Sequence, residues 1–196
     1  MANKRFWDVI KSGDFFVIDT ETTGLGDDAE VCQIAVVDNN GRTVLDTYVR
    51  PVAPIPAEAT HVHGITNEMV EKAPGWAEIH VFLGAVLRQK PLLVYNAAYD
   101  LRIMSSSSRK AGVHDIGKDI ADVGCVMLAY AEFWGDWNDF RRSYRWQKLS
   151  DAARQCGVGV ENAHDALGDC LMTLGVVKHM ANVANAETHD RYGDKS

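Results

Sequence analysis

Apolar positions along this chain follow two periods, one near two residues and one near 3.6, and the switches between them mark the elements. After a short amphipathic start, FFVID (Phe15 to Asp19) is a compact apolar run ending in a carboxylate. VCQIAVVD (Val31 to Asp38) and RTVLDTYV (Arg42 to Val49) are rich in β-branched residues, which suit a pleated surface. Three successive strands are expected. Asn39-Asn40-Gly41 supplies the positive-φ residues of a tight turn, so the second and third strands are predicted to be antiparallel neighbours. Pro51, Pro54 and Pro56 predict a loop over Arg50 to Ala57. From Trp76 to Lys90, the apolar residues Ile79, Phe82, Leu83, Val86 and Leu87 recur at helical spacing, with Glu78, Arg88 and Lys90 off the stripe.

LLVYN (Leu92 to Asn96) reads as a buried strand, and Asp100 to Lys110 as the helix that follows it in a βα unit. A short strand is expected around Ile120 to Val123. Two more helical stripes follow: Leu149, Ala152, Ala153 and Cys156 within Gln147 to Cys156, and Leu167, Leu171, Leu174 and Val177 within Ala163 to Val183. Beyond about Asn185 the apolar period ends, which predicts a frayed tail over residues 185–196 behind one domain spanning residues 1–184. The run Ser105 to Ser108 is the one low-complexity stretch. The order of elements describes an α/β domain with a mixed sheet flanked by helices, a class that decides nothing about function by itself.

Composition narrows the partners. Lys and Arg total 20 against 27 Asp and Glu, a formal charge of -7, which argues against binding DNA or a membrane surface through bulk basicity. Cys32, Cys125, Cys156 and Cys170 form no CxxC pair, and reduced thiols in a cytoplasmic compartment are expected. The N-terminal residues lack the apolar stretch of a signal peptide, and no run approaches a membrane span, so a soluble intracellular protein is expected.

The chemistry concentrates in carboxylates. Asp19 and Glu21 stand two residues apart at the end of the first predicted strand, so a strand continuing that far projects both from one face. A polar strand end backed by Thr20, Thr22, Thr23 and Gly24 would look the same. Asp100 falls at a helix start, where it complements the helix dipole. Asp169 borders the apolar stripe of the last helix rather than opposing it. Such positions converge on the crevice at the C-terminal edge of an open α/β sheet. Four like charges there repel, and hard divalent cations such as Mg²⁺ or Mn²⁺ balance them. His164, five residues before Asp169, is a candidate general base. Asp165, at the third helical position behind an Asn162 N-cap, is read as a capping residue rather than a ligand.

These residues stand in motifs. VIDTETTGL carries an Asp-x-Glu pair, YNAAYDLRIM an aspartate and HDALGDC a His-x4-Asp, and VHGIT lies between the first two. In this order and spacing they resemble the DnaQ-like (DEDDh) 3′-to-5′ exonucleases, which have a ribonuclease-H-like fold. The resemblance covers roughly Phe15 to Val183. It implies Asp19, Glu21, Asp100 and Asp169 as carboxylates holding two Mg²⁺ or Mn²⁺ ions, with Asp19 bridging both and His164 as the base. It also implies that Leu25 and the segment His63, Gly64, Ile65 hold the terminal nucleotide, that the backbone from Glu21 through Thr22 to Thr23 lies near the 3′ hydroxyl, and that Asn96 joins the substrate contacts. Tyr99 stands where the second motif often has Phe, and the stretch from Phe133 to Trp146 is unusually long and aromatic.

In that stretch Trp134, Trp137, Phe140, Tyr144 and Trp146 interleave with Arg141, Arg142 and Arg145. The aromatics can pin a loop to the domain, or they can stack bases while the cations attract phosphate. The resulting expectation is a metal-dependent exonuclease acting on nucleic acid 3′ ends, DNA favoured, with a possible polymerase or repair partner. The alternatives are an RNA-directed exonuclease and a catalytically degenerate module that docks on a polymerase. Nothing in the sequence sets the oligomeric state.

Overall fold

The computed structural model describes residues 4–160 and 164–192. Helix α1 (Lys4–Ser12) leads into strands β1 (Phe16–Thr22), β2 (Val31–Asp38) and β3 (Thr43–Tyr48). Helices α2 (Ala57–His63), α3 (Asn67–Val70) and α4 (Trp76–Leu87) follow, then β4 (Leu92–Val94) and α5 (Ala97–Lys110). A short 3-10 turn (Ile116–Asp119) precedes β5 (Val123–Cys125) and α6 (Val126–Trp134). The small strands β6 (Trp137–Asn138) and β7 (Ser143–Tyr144) form a hairpin, and α7 (Leu149–Gln155) and α8 (Ala166–Tyr192) end the described chain. No helix among the described residues is long and apolar enough to cross a membrane.

The sheet order is β3-β2-β1-β4-β5, antiparallel across β1 to β3 and parallel from β1 through β4 to β5. Gly41, at φ +85, supplies the left-handed residue that the β2–β3 turn requires. Period-two alternation sorts the strand residues to two faces. Val17, Ala35, Val37 and Leu93 pack beneath α1, α6, α7 and α8, while Phe16, Ile18, Ile34, Val36, Leu92 and Val94 pack beneath α4 and α5. Both faces are buried, as expected where helices cover a mixed sheet on both sides. Helix α8 seats directly on the central strands, its Cys170 thiol 3.3 Å from the carbonyl of Ala35. A side chain at Gly175 would meet Val158 at 2.7 Å, so the approach of α8 to the segment after α7 depends on that glycine.

Several boundaries differ from the sequence expectations. β1 continues three residues past Asp19, because Thr20 to Thr22 pair with β2 as far as Val31. α5 begins at Ala97 immediately after Asn96, whose φ of 67 turns the chain from strand into helix. The last strand of the five-stranded sheet is Val123–Cys125 rather than Ile120 to Val123. Phe82 and Leu171, both placed on apolar stripes by periodicity, are half exposed. Helix α8 starts at Ala166 rather than Ala163, and it continues to Tyr192, beyond the expected end of the period near Asn185. The proposed cap at Asn162 lies outside the described residues. The serine run is structural: Ser107 accepts the N–H of Val31, and Ser108 accepts the Trp76 indole N–H.

Candidate active site

The extension of β1 sets the site. Asp19 and Glu21 fall on the same alternation as Val17, so both carboxylates face α8 where the sheet ends. Asp169 comes from the first turn of α8 and Asp100 from the first turn of α5. Asp100 is buried, and its Oδ1 accepts a 2.7 Å hydrogen bond from Thr20 Oγ1, which locks the second motif to the first. One ligand atom each from Glu21, His164 and Asp169 lie within 4.8 Å of one another. Asp169 Oδ1 is buried without a hydrogen-bond partner among the described residues.

Electrostatics show that the fold itself does not neutralise this cluster. Burial, reinforced by the charges of Asp100, Asp169, Glu21 and Asp165, holds the Asp19 carboxyl well above the usual range. Burial and then the Asp169 and Asp100 charges push Glu21 up to about 8. Burial likewise raises Asp100 to about 7, against the pull of the Thr20 bond. It raises Asp169 to about 6, opposed by the His164 backbone N–H and imidazole. The ion pairs among the described residues lie elsewhere. A mutually repelling, desolvated set of carboxylates is a recognised mark of a functional site.

The start of α8 is held by a residue that periodicity does not single out. Gln33 stands opposite Glu21 in the β1–β2 register and is buried. Its Oε1 accepts the Ala166 N–H at 3.2 Å, and its Nε2 donates to Asp165 Oδ1 at 2.8 Å. Asp165 precedes α8 and its Oδ2 accepts the Gly168 N–H at 3.1 Å. It therefore caps the helix, as expected, but from the N-cap position rather than the third helical position. His164, at φ 66, turns the chain ahead of that cap and is exposed. Only the strand pairing reveals Gln33; in the sequence it is a polar letter inside VCQIAVVD.

The remaining candidates separate into supports and rims. His63 Nδ1 accepts the Ile65 N–H at 3.0 Å, so its Nε2 carries the proton and donates to the Thr22 carbonyl at 3.2 Å. Burial, with the nearby His164, depresses the His63 pKa. Ile65 packs with Cys32, Ile55 and Val70, so its side chain belongs to a small apolar core while its N–H is taken by His63. Thr23 Oγ1 accepts the Glu30 N–H, and Thr22 Oγ1 hydrogen-bonds Tyr99, whose hydroxyl also donates to the Gly24 carbonyl. Leu25 is 82% exposed. Its loop is gripped from α5: Arg102 donates to the Leu25 and Gly26 carbonyls, and Lys110 to the Asp28 carbonyl. Gly64 and Asn96 are exposed at neighbouring turns.

The aromatic and basic segment is the β6–β7 hairpin rather than a loop. Trp137 and Tyr144 meet edge to face at 5.0 Å. Arg145 pairs with Asp136 at 3.4 Å, while Arg141 and Arg142 are exposed. Arg142, Trp137, Tyr144 and Trp146 line a groove of about 670 Å³ against α1 and β5. The hairpin's far end is tied to β4, because the Tyr95 hydroxyl donates to the Gln147 carbonyl at 2.9 Å. The hairpin's groove thus lies against α1 and β5, and the segment after the hairpin meets the β4–α5 connection at Tyr95.

Three acidic motifs meeting at one sheet edge under α8 fit a ribonuclease-H-like fold. The RNase T family, described as Exonuclease, matches residues 16–177, and the chain belongs to it. The chain is 45% identical over 172 residues to an uncharacterized exonuclease, CP81, of Escherichia phage 186, covering 86% of this chain and 88% of the relative. It is 48% identical over 174 residues to a DNA polymerase III subunit epsilon-like protein of Rhodobacter capsulatus, covering 81% of this chain but only 22% of that longer protein. The structure of exonuclease X in complex with 5′ overhanging duplex DNA aligns over 87% of this chain and 93% of its own, with a TM-score of 0.66 at 23% identity, which establishes a shared fold. The protein is an exonuclease.

Proposed function

We propose that this exonuclease hydrolyses phosphodiester bonds from the 3′ end of nucleic acid, single-stranded DNA in preference to RNA, and releases nucleoside 5′-monophosphates. The observation that carries the reading is the unneutralised carboxylate set, with Asp169 Oδ1 buried and unpartnered beside Glu21 and His164. A donor set of carboxylate oxygens suits hard divalent cations, and Asp19, Glu21, Asp100 and Asp169 would hold two ions of Mg²⁺ or Mn²⁺. When bound, such ions stabilise charge on the phosphate and on the leaving oxygen. His164, exposed at the mouth, takes the proton of the attacking water. Asp165 and Gln33 hold the turn that aims it. His63 and the Tyr99–Thr22–Gly24 bonds brace the backbone through Thr22 and Thr23 for the terminal sugar, with Leu25, Gly64, Ile65 and Asn96 bordering the last base.

Arg141, Arg142 and Arg145 with the hairpin aromatics give upstream nucleotides a further hold. The DNA preference draws on the polymerase epsilon-like relative and on the DNA held by exonuclease X, and both support a role in replication or repair. All four cysteines are free, which fits the reducing cytoplasm. A digestion series tests the whole reading, using 3′- or 5′-labelled single-stranded DNA, duplex DNA and RNA with Mg²⁺ or Mn²⁺. Stepwise shortening from the 3′ end, release of 5′-monophosphates, fastest turnover on single-stranded DNA and arrest by chelator are expected. Internal cuts, attack from the 5′ end or full activity in chelator would overturn it, and a preference for RNA would overturn the substrate assignment.

A further inference from the structure

Away from the carboxylate cluster, on the side of the sheet covered by α4, three other ligand-type side chains meet. His80 belongs to α4, His114 to the segment after α5, and Asp119 ends the 3-10 turn. One ligand atom from each lies within 4.8 Å of the others. His80 is 3% exposed and its Nε2 bonds the His114 carbonyl at 2.9 Å. A carbonyl only accepts, so His80 Nε2 carries the proton and Nδ1 keeps a lone pair. The two imidazoles stand edge to face with centroids 4.3 Å apart. His114 Nε2 bonds Asp119 Oδ2 at 2.7 Å.

The carboxylate is aimed from two sides. Arg88 Nη2 donates to the other oxygen, Oδ1, at 2.7 Å, in the manner of an outer-layer partner that orients a metal-binding carboxylate. On the Oδ2 side, a Cβ at Gly84 would meet that oxygen at 2.8 Å, so glycine one turn after His80 lets Asp119 lie against the helix. Such an arrangement exceeds what a surface ion pair needs. Two imidazole nitrogens and one carboxylate oxygen, fixed by outer hydrogen bonds, are a donor set for Zn²⁺ with a water in the fourth position.

We infer that His80, His114 and Asp119 form a zinc site that clamps α4 to the segment 114–119, separate from the catalytic carboxylates. The ion takes the place of the proton between His114 Nε2 and Asp119 Oδ2, and that proton leaves Nε2 for the other ring nitrogen or for water.

The test uses the full chain, stripped with chelator, carrying Asp19→Asn and Asp169→Asn so that the catalytic cluster does not contribute. This background is expected to bind one equivalent of Zn²⁺ and to gain melting temperature on binding. Adding His114→Ala is expected to remove both the equivalent and the gain, and Gly84→Ala to weaken uptake at least about tenfold while every ligand remains. Co²⁺ in place of Zn²⁺ should give the visible bands of nitrogen and oxygen ligation without thiolate charge transfer. Failure to bind Zn²⁺, stoichiometry unchanged by His114→Ala, or a thiolate band implicating the cysteines would overturn the assignment and leave only a hydrogen-bonded network. Exonuclease activity of His114→Ala in the otherwise unaltered chain is expected to match the parent, and its loss would overturn the separation from the catalytic cluster.

Discussion

Glu21, His164 and Asp169 at the sheet edge, and His80, His114 and Asp119 beside α4, each bring three ligand-type side chains within 4.8 Å. Their electrostatics run in opposite directions. Asp119 is bonded by Arg88 and His114, and these partners hold its carboxyl below the usual range despite burial. Glu21 and Asp169 pair with no Arg or Lys among the described residues and are pushed up to about 8 and about 6. One cluster is held in shape by its own hydrogen bonds and by Arg88. The other accumulates charge that the polypeptide leaves unbalanced, which is the condition under which external cations are recruited strongly. Which residue types meet therefore says less than which charges accompany them.

The comparison is broken most severely by removing charge at the sheet edge. Asp19→Asn and Asp169→Asn are expected to bring turnover to background and to raise the melting temperature of the metal-free protein, measured by nuclease assay and calorimetry in chelator. His164→Ala should keep divalent-cation binding and lose about 10²- to 10⁴-fold in kcat. Gln33→Ala should lower kcat about 10- to 100-fold with a smaller change in KM, since it loosens the turn bearing His164 and the helix bearing Asp169. Gln33→Glu should not rescue it, because Glu cannot donate to Asp165 and adds a charge to the cluster.

A pH scan sharpens the contrast further. A carboxyl whose folded pKa lies above its unfolded value favours the native state while protonated. Metal-free stability should thus be fullest at low pH and should decline between about 4.5 and about 8, the window set by Glu21. Glu21→Gln should flatten that decline. Asp119 behaves in reverse: its contribution is present at neutral pH and is lost as pH falls through its lowered pKa, so Asp119→Asn should destabilise at pH 7 but little in acid. The smallest effect is expected at the hairpin. Arg141→Ala with Arg142→Ala should raise KM for oligonucleotides a few fold and reduce its salt dependence by about two phosphate contacts, with kcat and melting temperature unchanged.

Much of this was legible before any coordinates. β2 runs from Val31 to Asp38 as its β-branched residues predict, and Asn39-Asn40-Gly41 turns the hairpin. Asp19, Glu21, Asp100, His164 and Asp169 were singled out by the motif resemblance, since strand alternation and helix starts alone leave a polar strand end and a helix-dipole partner open. What periodicity could not reach depends on pairing across the chain. Gln33 matters only because it faces Glu21 in register and reaches the start of α8. Asp165 shifted by a few positions because its own carboxylate ends the loop and starts the helix. Phe82 and Leu171 kept the helical period but fell at the margin of their stripes, where a helix turns away from the sheet. The cluster of His80, His114 and Asp119 is scattered along the sequence and is joined only when α4 packs beside the 3-10 turn.

The loop that carries Leu25 has a bearing on tempo. Its carbonyls at Leu25, Gly26 and Asp28 are already satisfied by Arg102 and Lys110 of α5. A loop ordered in advance spends no binding energy on its own arrangement when a ligand arrives. An exonuclease must re-seat a shortened strand after each nucleotide, and a loop that had to refold every time would repeat that loss in every cycle. On the proposed reading, in which Leu25 borders the last base, the strand alone would move between cycles, and loosening the grip through Arg102 would slow successive steps more than the first.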